Sequence, residues 1–152
     1  AEMLAANLNL RHIDVSRFAK ENNFLEEYDE VYDTHVLEEE GLLDAMELIL
    51  APGGVVVDYH CSEMFPERWF DLVVVLRTDN TILFDRLSKR DYSARKIKEN
   101  VECEIMQVAL DEAQESYKED IVWELPSHTL EDILTNVERI TTFVNNFPRP
   151  PV

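Results

Sequence analysis

Two short runs constrain this chain more than anything else in it. Val55-Val56-Val57 leads straight into Asp58, and Leu72 to Leu76 reads LVVVL. Both are rich in β-branched residues and neither has a polar face. A strand of that kind has to be covered on both sides, which is how parallel strands inside α/β domains read. Helical patterns surround them. From Leu37 to Ala51 the residues Leu42, Leu43, Met46, Ile49 and Leu50 recur at three- and four-residue spacing, and Pro52-Gly53-Gly54 stops the pattern. Strand and helix signals alternate along the chain, so an α/β domain with a parallel sheet is expected.

The remaining elements follow from the same periods. Glu2–Leu8 reads as a helix remnant and Arg11–Val15 as a short strand. Ser16 is expected to cap a helix to about Glu21. Acidic Glu26–Asp33 reads as a loop, and Thr78–Leu87 as a helix. A long helix is expected from Ile97 to Tyr117, because Ile97, Val101, Ile105, Ala109 and Ala113 step by four. Ile121–Leu125 reads as a strand and Leu130–Phe147 as a final helix. Its stripe is Leu130, Ile133, Leu134, Val137, Ile140 and Val144.

With 152 residues, 45% of them hydrophobic, one domain is expected. A chain of that size buries about 68–70% of its unfolded surface. The 32 acidic side chains against 14 basic ones leave a net charge of −18. That repels phosphates, argues against non-specific nucleic-acid binding, and favours basic partners. Two cysteines, Cys61 and Cys103, are too few for a disulfide scaffold or a cysteine zinc site. No apolar run is long enough to span a membrane, and the N-terminus does not read as a signal peptide. The chain starts at Ala1 in what reads as the interior of a helix, so a fragment or processed chain is expected.

Two groups of residues carry chemistry. Asp58 ends a buried parallel strand, the place where open α/β sheets bind ligands. His60 lies two residues on, and extended backbone would point both to one side. Such a pair can hold a magnesium ion through water and orient an attacking water. It can equally be a strand-end cap beside a histidine at a solvent edge. The second group is basic: Arg86, Lys89, Arg90, Arg95, Lys96 and Lys98 hold six of the 14 cations within thirteen residues. It suits a grip on phosphate oxygens, or the end of a helix whose dipole it complements. Arg77, just past a strand, could face the same crevice as Asp58. Lys20 and Arg68 more often turn out to be surface or ion-paired residues.

Together the motifs resemble a known family. Gly53-Gly54-x3-Asp58-Tyr59-His60, Phe65-Pro66-Glu67-Arg68, and Val75-Leu76-Arg77-Thr78-Asp79 come first. Arg86-Leu87-x2-Arg90-x-Tyr92, Asn100-x3-Glu104-Ile105, Glu115-Ser116-Tyr117, and Glu124-Leu125-Pro126-Ser127 follow in register. Their order and spacing resemble the adenylate kinase isoenzyme 6 family, small P-loop nucleoside monophosphate kinases and ATPases. The resemblance runs from about Leu4 to Phe147.

It implies a three-layer α/β/α fold, with residues 1–152 as one kinase-like domain. Residues 14–37 would be the arm that binds the nucleoside monophosphate, 89–99 a short lid, and 148–152 a tail. Asp58, His60 and Arg90 would be catalytic, with Mg2+ held by Asp58 through water. ATP would meet Arg90, Arg86, Ser127 and His128, the last two against adenine. Lys20, Arg77 and Arg68 would serve the monophosphate. The implied activity is phosphoryl transfer from ATP to AMP, giving ADP, plus ATP hydrolysis. The implied setting is small ribosomal subunit maturation in nucleus and cytoplasm, with a basic small-subunit ribosomal protein as partner and the chain a monomer.

Two departures stand out. The lid position where the family has Gly holds Asp91. The family's Gly-x4-Gly-Lys-Ser/Thr loop occurs nowhere in these residues. Ala1 aligns just after it, so roughly twenty residues of central strand and loop are expected upstream, and the chain alone is expected to turn over little. The alternatives are a non-catalytic acidic module for a basic ribosomal protein, and an inactive fragment.

Overall fold

A computed structural model describes residues 1–29 and 34–147. The chain runs through α1 (Glu2–Leu8), β1 (Arg11–Asp14), α2 (Val15–Glu21), β2 (Leu25–Asp29), β3 (Thr34–Leu37) and α3 (Glu39–Leu50). It continues with β4 (Val55–Asp58), β5 (Val73–Arg77), α4 (Asn80–Lys89), α5 (Ala94–Ile105) and α6 (Val108–Ser116). β6 (Val122–Pro126) and α7 (Leu130–Asn145) complete it. The tail expected at 148–152 lies outside the described residues.

The strands form three pairs. β1 and β4 are parallel, with Arg11 opposite Val55 and Asp14 opposite Asp58. β5 and β6 are parallel, from Val73 opposite Val122 to Arg77 opposite Pro126. β2 and β3 form an antiparallel hairpin. Among the described residues, β4 and β5 are each paired along one edge only. This corrects the expectation of full cover over Val55–Val57: with one strand neighbour, these valines stay half-buried.

Each parallel pair has its own core. Ile13, Val15, Ala19, Leu42, Met46 and Phe65 pack around β1 and β4, while Val75, Leu110 and Ala113 pack on β5. Helix α1 packs on β1, β4 and α7, and α7 packs on β6, so helices tie the pairs together. Tyr117 adds a polar tie. Its hydroxyl donates to the Ser62 carbonyl at 2.6 Å and lies 3.3 Å from that of Phe65, linking the end of α6 to the segment after β4.

Several boundaries differ from expectation. The cap of α2 is Asp14, which accepts the Arg17 N–H at 3.2 Å, not Ser16, because a strand-end aspartate already sits where the first turn leaves its donors open. Part of the expected loop Glu26–Asp33 belongs to β2, since the acidic stretch has no apolar period to mark a strand; residues 30–33 lie outside the description. The expected helix 97–117 is broken in two at Gln107, which takes a left-handed conformation with φ 58°. No glycine or proline signals that break. Ile105 is therefore 54% exposed instead of joining the stripe. On α7, Leu130, Ile133 and Leu134 are exposed, and the covered part of the stripe begins at Val137.

Candidate functional site

The carboxyl ends of β1 and β4 bring together residues far apart in sequence. Asp58 ends β4 beside Asp14 of β1. Asp14 spends an oxygen on the α2 cap. Asp58 is about half exposed, and its Oδ2 lies 3.4 Å from Nε2 of His12, two residues back along β1. His12 was not singled out from sequence, and no sequence signal could reveal it, because it meets Asp58 only through the strand pairing.

His60 lies beyond the end of β4, its ring 4.0 Å from that of Tyr59. It keeps an exposed edge. Desolvation, and then the charge of Lys96, hold its pKa below the ordinary histidine value. Burial first, then Cys61 and Glu39, push Tyr59 up to about 12. The Cys61 thiol is pushed up to about 11, by burial first and then by Glu112, Glu63 and Glu39. A thiol so disfavoured as thiolate is a poor nucleophile near neutral pH.

The basic segment spans the end of α4 and the start of α5. Asp91, at the position expected to hold glycine, takes φ 61°, a left-handed conformation that glycine adopts without cost. Ser93 caps α5, accepting the Lys96 N–H at 3.2 Å. Lys96 Nζ sits 4.4 Å from the centre of the Tyr92 ring, and its charge reaches His60. The segment therefore approaches the Asp58–His60 rim. Arg90 is exposed.

The carboxyl ends of β5 and β6 are bonded more densely. Arg77 Nε donates to Glu104 at 2.6 Å and Nη1 to Glu124 at 3.2 Å. Glu104 also accepts the Thr78 N–H at 3.2 Å. Arg77 is thus engaged within the protein. Glu104 is one of its anchors. Arg86 donates to the carbonyls of Ser127 (2.7 Å) and His128 (2.9 Å), so α4 grips the loop after β6. Asp132 accepts the N–H groups of His128 (2.9 Å) and Thr129 (3.2 Å). These bonds, that of His128 first, hold its carboxyl below the usual carboxylate range.

The expected monophosphate residues are scattered. Lys20 lines a shallow depression with Ser16, Arg17 and Glu21. Arg68 pairs with Glu47 on the surface. The structure therefore sets the basic segment, through Lys96, within reach of His60 beside Asp58, and separately brings together Arg86, Ser127 and His128.

A family model described as an AAA domain matches residues 1–107. With its helices and small parallel sheets, the chain is a P-loop kinase domain of three-layer α/β/α type. Curated relatives sharpen that class. The Candida albicans adenylate kinase isoenzyme 6 homologue HBR1 is 52% identical over 137 residues, 90% of this chain and 55% of that protein. The Dictyostelium discoideum adenylate kinase isoenzyme 6 homologue is 49% identical over 147 residues, 97% of this chain and 84% of its own length. A putative adenylate kinase of Saccharolobus islandicus is 31% identical over 121 residues, 80% of this chain and 64% of that protein. The chain thus spans about half the length of the Candida relative. It belongs to the adenylate kinase isoenzyme 6 family of nucleotide kinases.

Proposed function

We propose that the protein to which this chain belongs transfers the γ-phosphoryl group of ATP to AMP, and slowly hydrolyses ATP. The observation that carries this reading is the reach of a basic segment toward the histidine that follows a strand-end acid. Lys96 acts on His60, and His60 lies two residues from Asp58. The relatives' names support the adenylate kinase half of it.

Asp58 fits a magnesium ion held largely by water and substrate phosphates. It offers one exposed carboxylate whose Oδ1 has no protein partner among the described residues, and these contain no group of three or more ligands that would form an all-protein cage. When bound, Mg2+ would neutralise charge on the transferred phosphoryl group. His60, kept largely neutral, would orient or accept a proton from the attacking water. Arg90 would stabilise charge on the phosphoryl oxygens as the lid closes. Arg86 would act at the ATP side through the loop it holds, with Ser127 and His128 toward the base. Lys20, Arg77 and Arg68 keep the monophosphate assignment, although two of them are engaged in ion pairs in this structure.

The test is a coupled ADP-production assay on this chain, and on the chain joined to a strand and phosphate-binding loop upstream. The expected result is little turnover in the first and restored turnover in the second. No ADP production by either protein contradicts the reading, and strong turnover by the chain alone contradicts only the need for the upstream loop.

The charge of −18 supports a second role. The acidic surface would hold a basic small-subunit ribosomal protein in nucleus and cytoplasm, with nucleotide controlling release and the chain acting as a monomer. A pulldown across a salt series checks it: binding is expected to weaken steeply as salt rises, and salt-independent binding refutes it.

A further inference from the structure

The parallel pairing of β1 with β4 puts three polar side chains on one face. Asp14 lies opposite Asp58, and His12 stands two residues before Asp14 on β1. Side chains two apart on a strand share a face, and so do those of residues paired across a ladder. His12, Asp14 and Asp58 therefore meet near the carboxyl end of the pair. Asp14 is turned to the Arg17 N–H at the start of α2. His12 faces Asp58 instead, with its Nε2 3.4 Å from Oδ2.

The two partners are unequally held. The His12 side chain is 23% exposed and that of Asp58 is 52% exposed. A half-exposed carboxylate at a strand end can turn among its staggered rotamers, whereas a mostly covered ring has less freedom. The ring therefore anchors the carboxylate, not the reverse. The direction of the bond follows from the groups themselves. Carboxylate oxygens only accept, so Nε2 of His12 carries the proton it donates. Oδ2 is engaged by that bond, and Oδ1 has no partner among the described residues.

We infer that His12 is a positioning residue for Asp58: its Nε2–H holds Oδ2, selects one rotamer of the carboxylate, and leaves Oδ1 as the oxygen for a hydrated divalent cation. This rests on the reading above that Asp58 holds magnesium through water. It deepens that reading by giving the two carboxylate oxygens different tasks, and by adding a residue from a second strand, 46 positions away in sequence. His12 acts through Asp58 and takes no direct part in the chemistry. A carboxylate held by an outer partner meets a cation without first losing rotamer freedom, which is how such partners raise metal affinity.

The experiment measures binding of Mn2+, an EPR-visible substitute for magnesium, to this chain at about pH 8, where imidazole side chains are ordinarily neutral. NMR couplings that report the Asp58 χ1 angle are recorded alongside. Wild type, His12→Phe, His12→Gln and Asp58→Asn are compared, and a thermal melt establishes that each is folded. His12→Val, suited to a strand, replaces His12→Phe if the latter does not fold. Wild type is expected to bind Mn2+ and to hold Asp58 in one χ1 rotamer, and Asp58→Asn to lose the binding. His12→Phe should average the Asp58 couplings and weaken Mn2+ about tenfold, the low end of what loss of an outer partner costs a metal site, because the contact is long. His12→Gln, whose side-chain amide can donate from near the place of Nε2, should recover most of both. If Asp58→Asn abolishes binding and His12→Phe binds Mn2+ as wild type does, the inference is overturned while the metal reading stands. A loss in His12→Gln as large as in His12→Phe would mean that the ring acts by packing, and overturns the inference too. If wild type binds no Mn2+, or Asp58→Asn binds it equally well, the metal reading fails and takes the inference with it.

Discussion

The two parallel strand pairs end in opposite ways. At the carboxyl end of β5 and β6, Arg77, Glu104, Glu124, Thr78 and Arg86 bond one another and the loop after β6. At the end of β1 and β4, Asp58 has one long contact with His12, and His60 has an exposed edge. The first end is pre-organised and the second has capacity to spare. A reacting centre needs unspent groups, whereas a base-reading loop needs a fixed shape. On the proposed reading, chemistry belongs to the β1–β4 end and recognition to the β5–β6 end.

The largest effect should come from breaking the dense end. Glu104→Ala removes the partner of Arg77 and the acceptor of the Thr78 N–H, where Arg77 and Glu104 side chains are only 20% and 16% exposed. A loss of about 1.5–3 kcal/mol is expected, because the partly buried Arg77 loses its shorter charge-assisted bond and keeps only the more exposed Glu124 and a backbone carbonyl. Urea unfolding measures it, and a loss under 0.5 kcal/mol would mean the network contributes little. A smaller effect of opposite sign should follow from Asp91→Gly in the lid. Glycine relieves the φ of 61° and should add about 0.5–1 kcal/mol in the same assay; destabilisation would show that the Asp91 side chain makes a compensating contact. The smallest effect belongs to Arg68→Ala. Its pair with Glu47 is largely solvent-exposed, so a change of about 0.5 kcal/mol or less is expected. A larger one would mean that surface pairs around the β1–β4 half carry more than their exposure suggests.

What could be read in the sequence follows the same division. β4, β5 and the Asp58–His60 pair were legible because each lies within a few consecutive residues whose period or spacing has one physical meaning. So was the basic segment, a local concentration of cations in an acidic chain. His12 beside Asp58 and Glu104 beside Arg77 were not legible, because those contacts arise from strand pairing and helix packing across 46 and 27 residues. The break at Gln107 was hidden for another reason: a four-step apolar pattern continues through it, and a left-handed glutamine leaves no mark in composition. Arg86 was legible as a cation of the basic segment, but its destination was not. Its charge was read as part of a phosphate grip, yet its guanidinium meets carbonyls of the loop.

The central claim is that the basic segment reaches His60 beside the strand end carrying Asp58. The most direct test is an NMR titration of the His60 ring in the wild-type chain and in Lys96→Met. The account predicts a wild-type pKa below the ordinary histidine value that moves upward when the Lys96 charge is removed, with burial leaving part of the depression in place. A His60 titration identical in the two proteins would put the basic segment elsewhere and contradict the account.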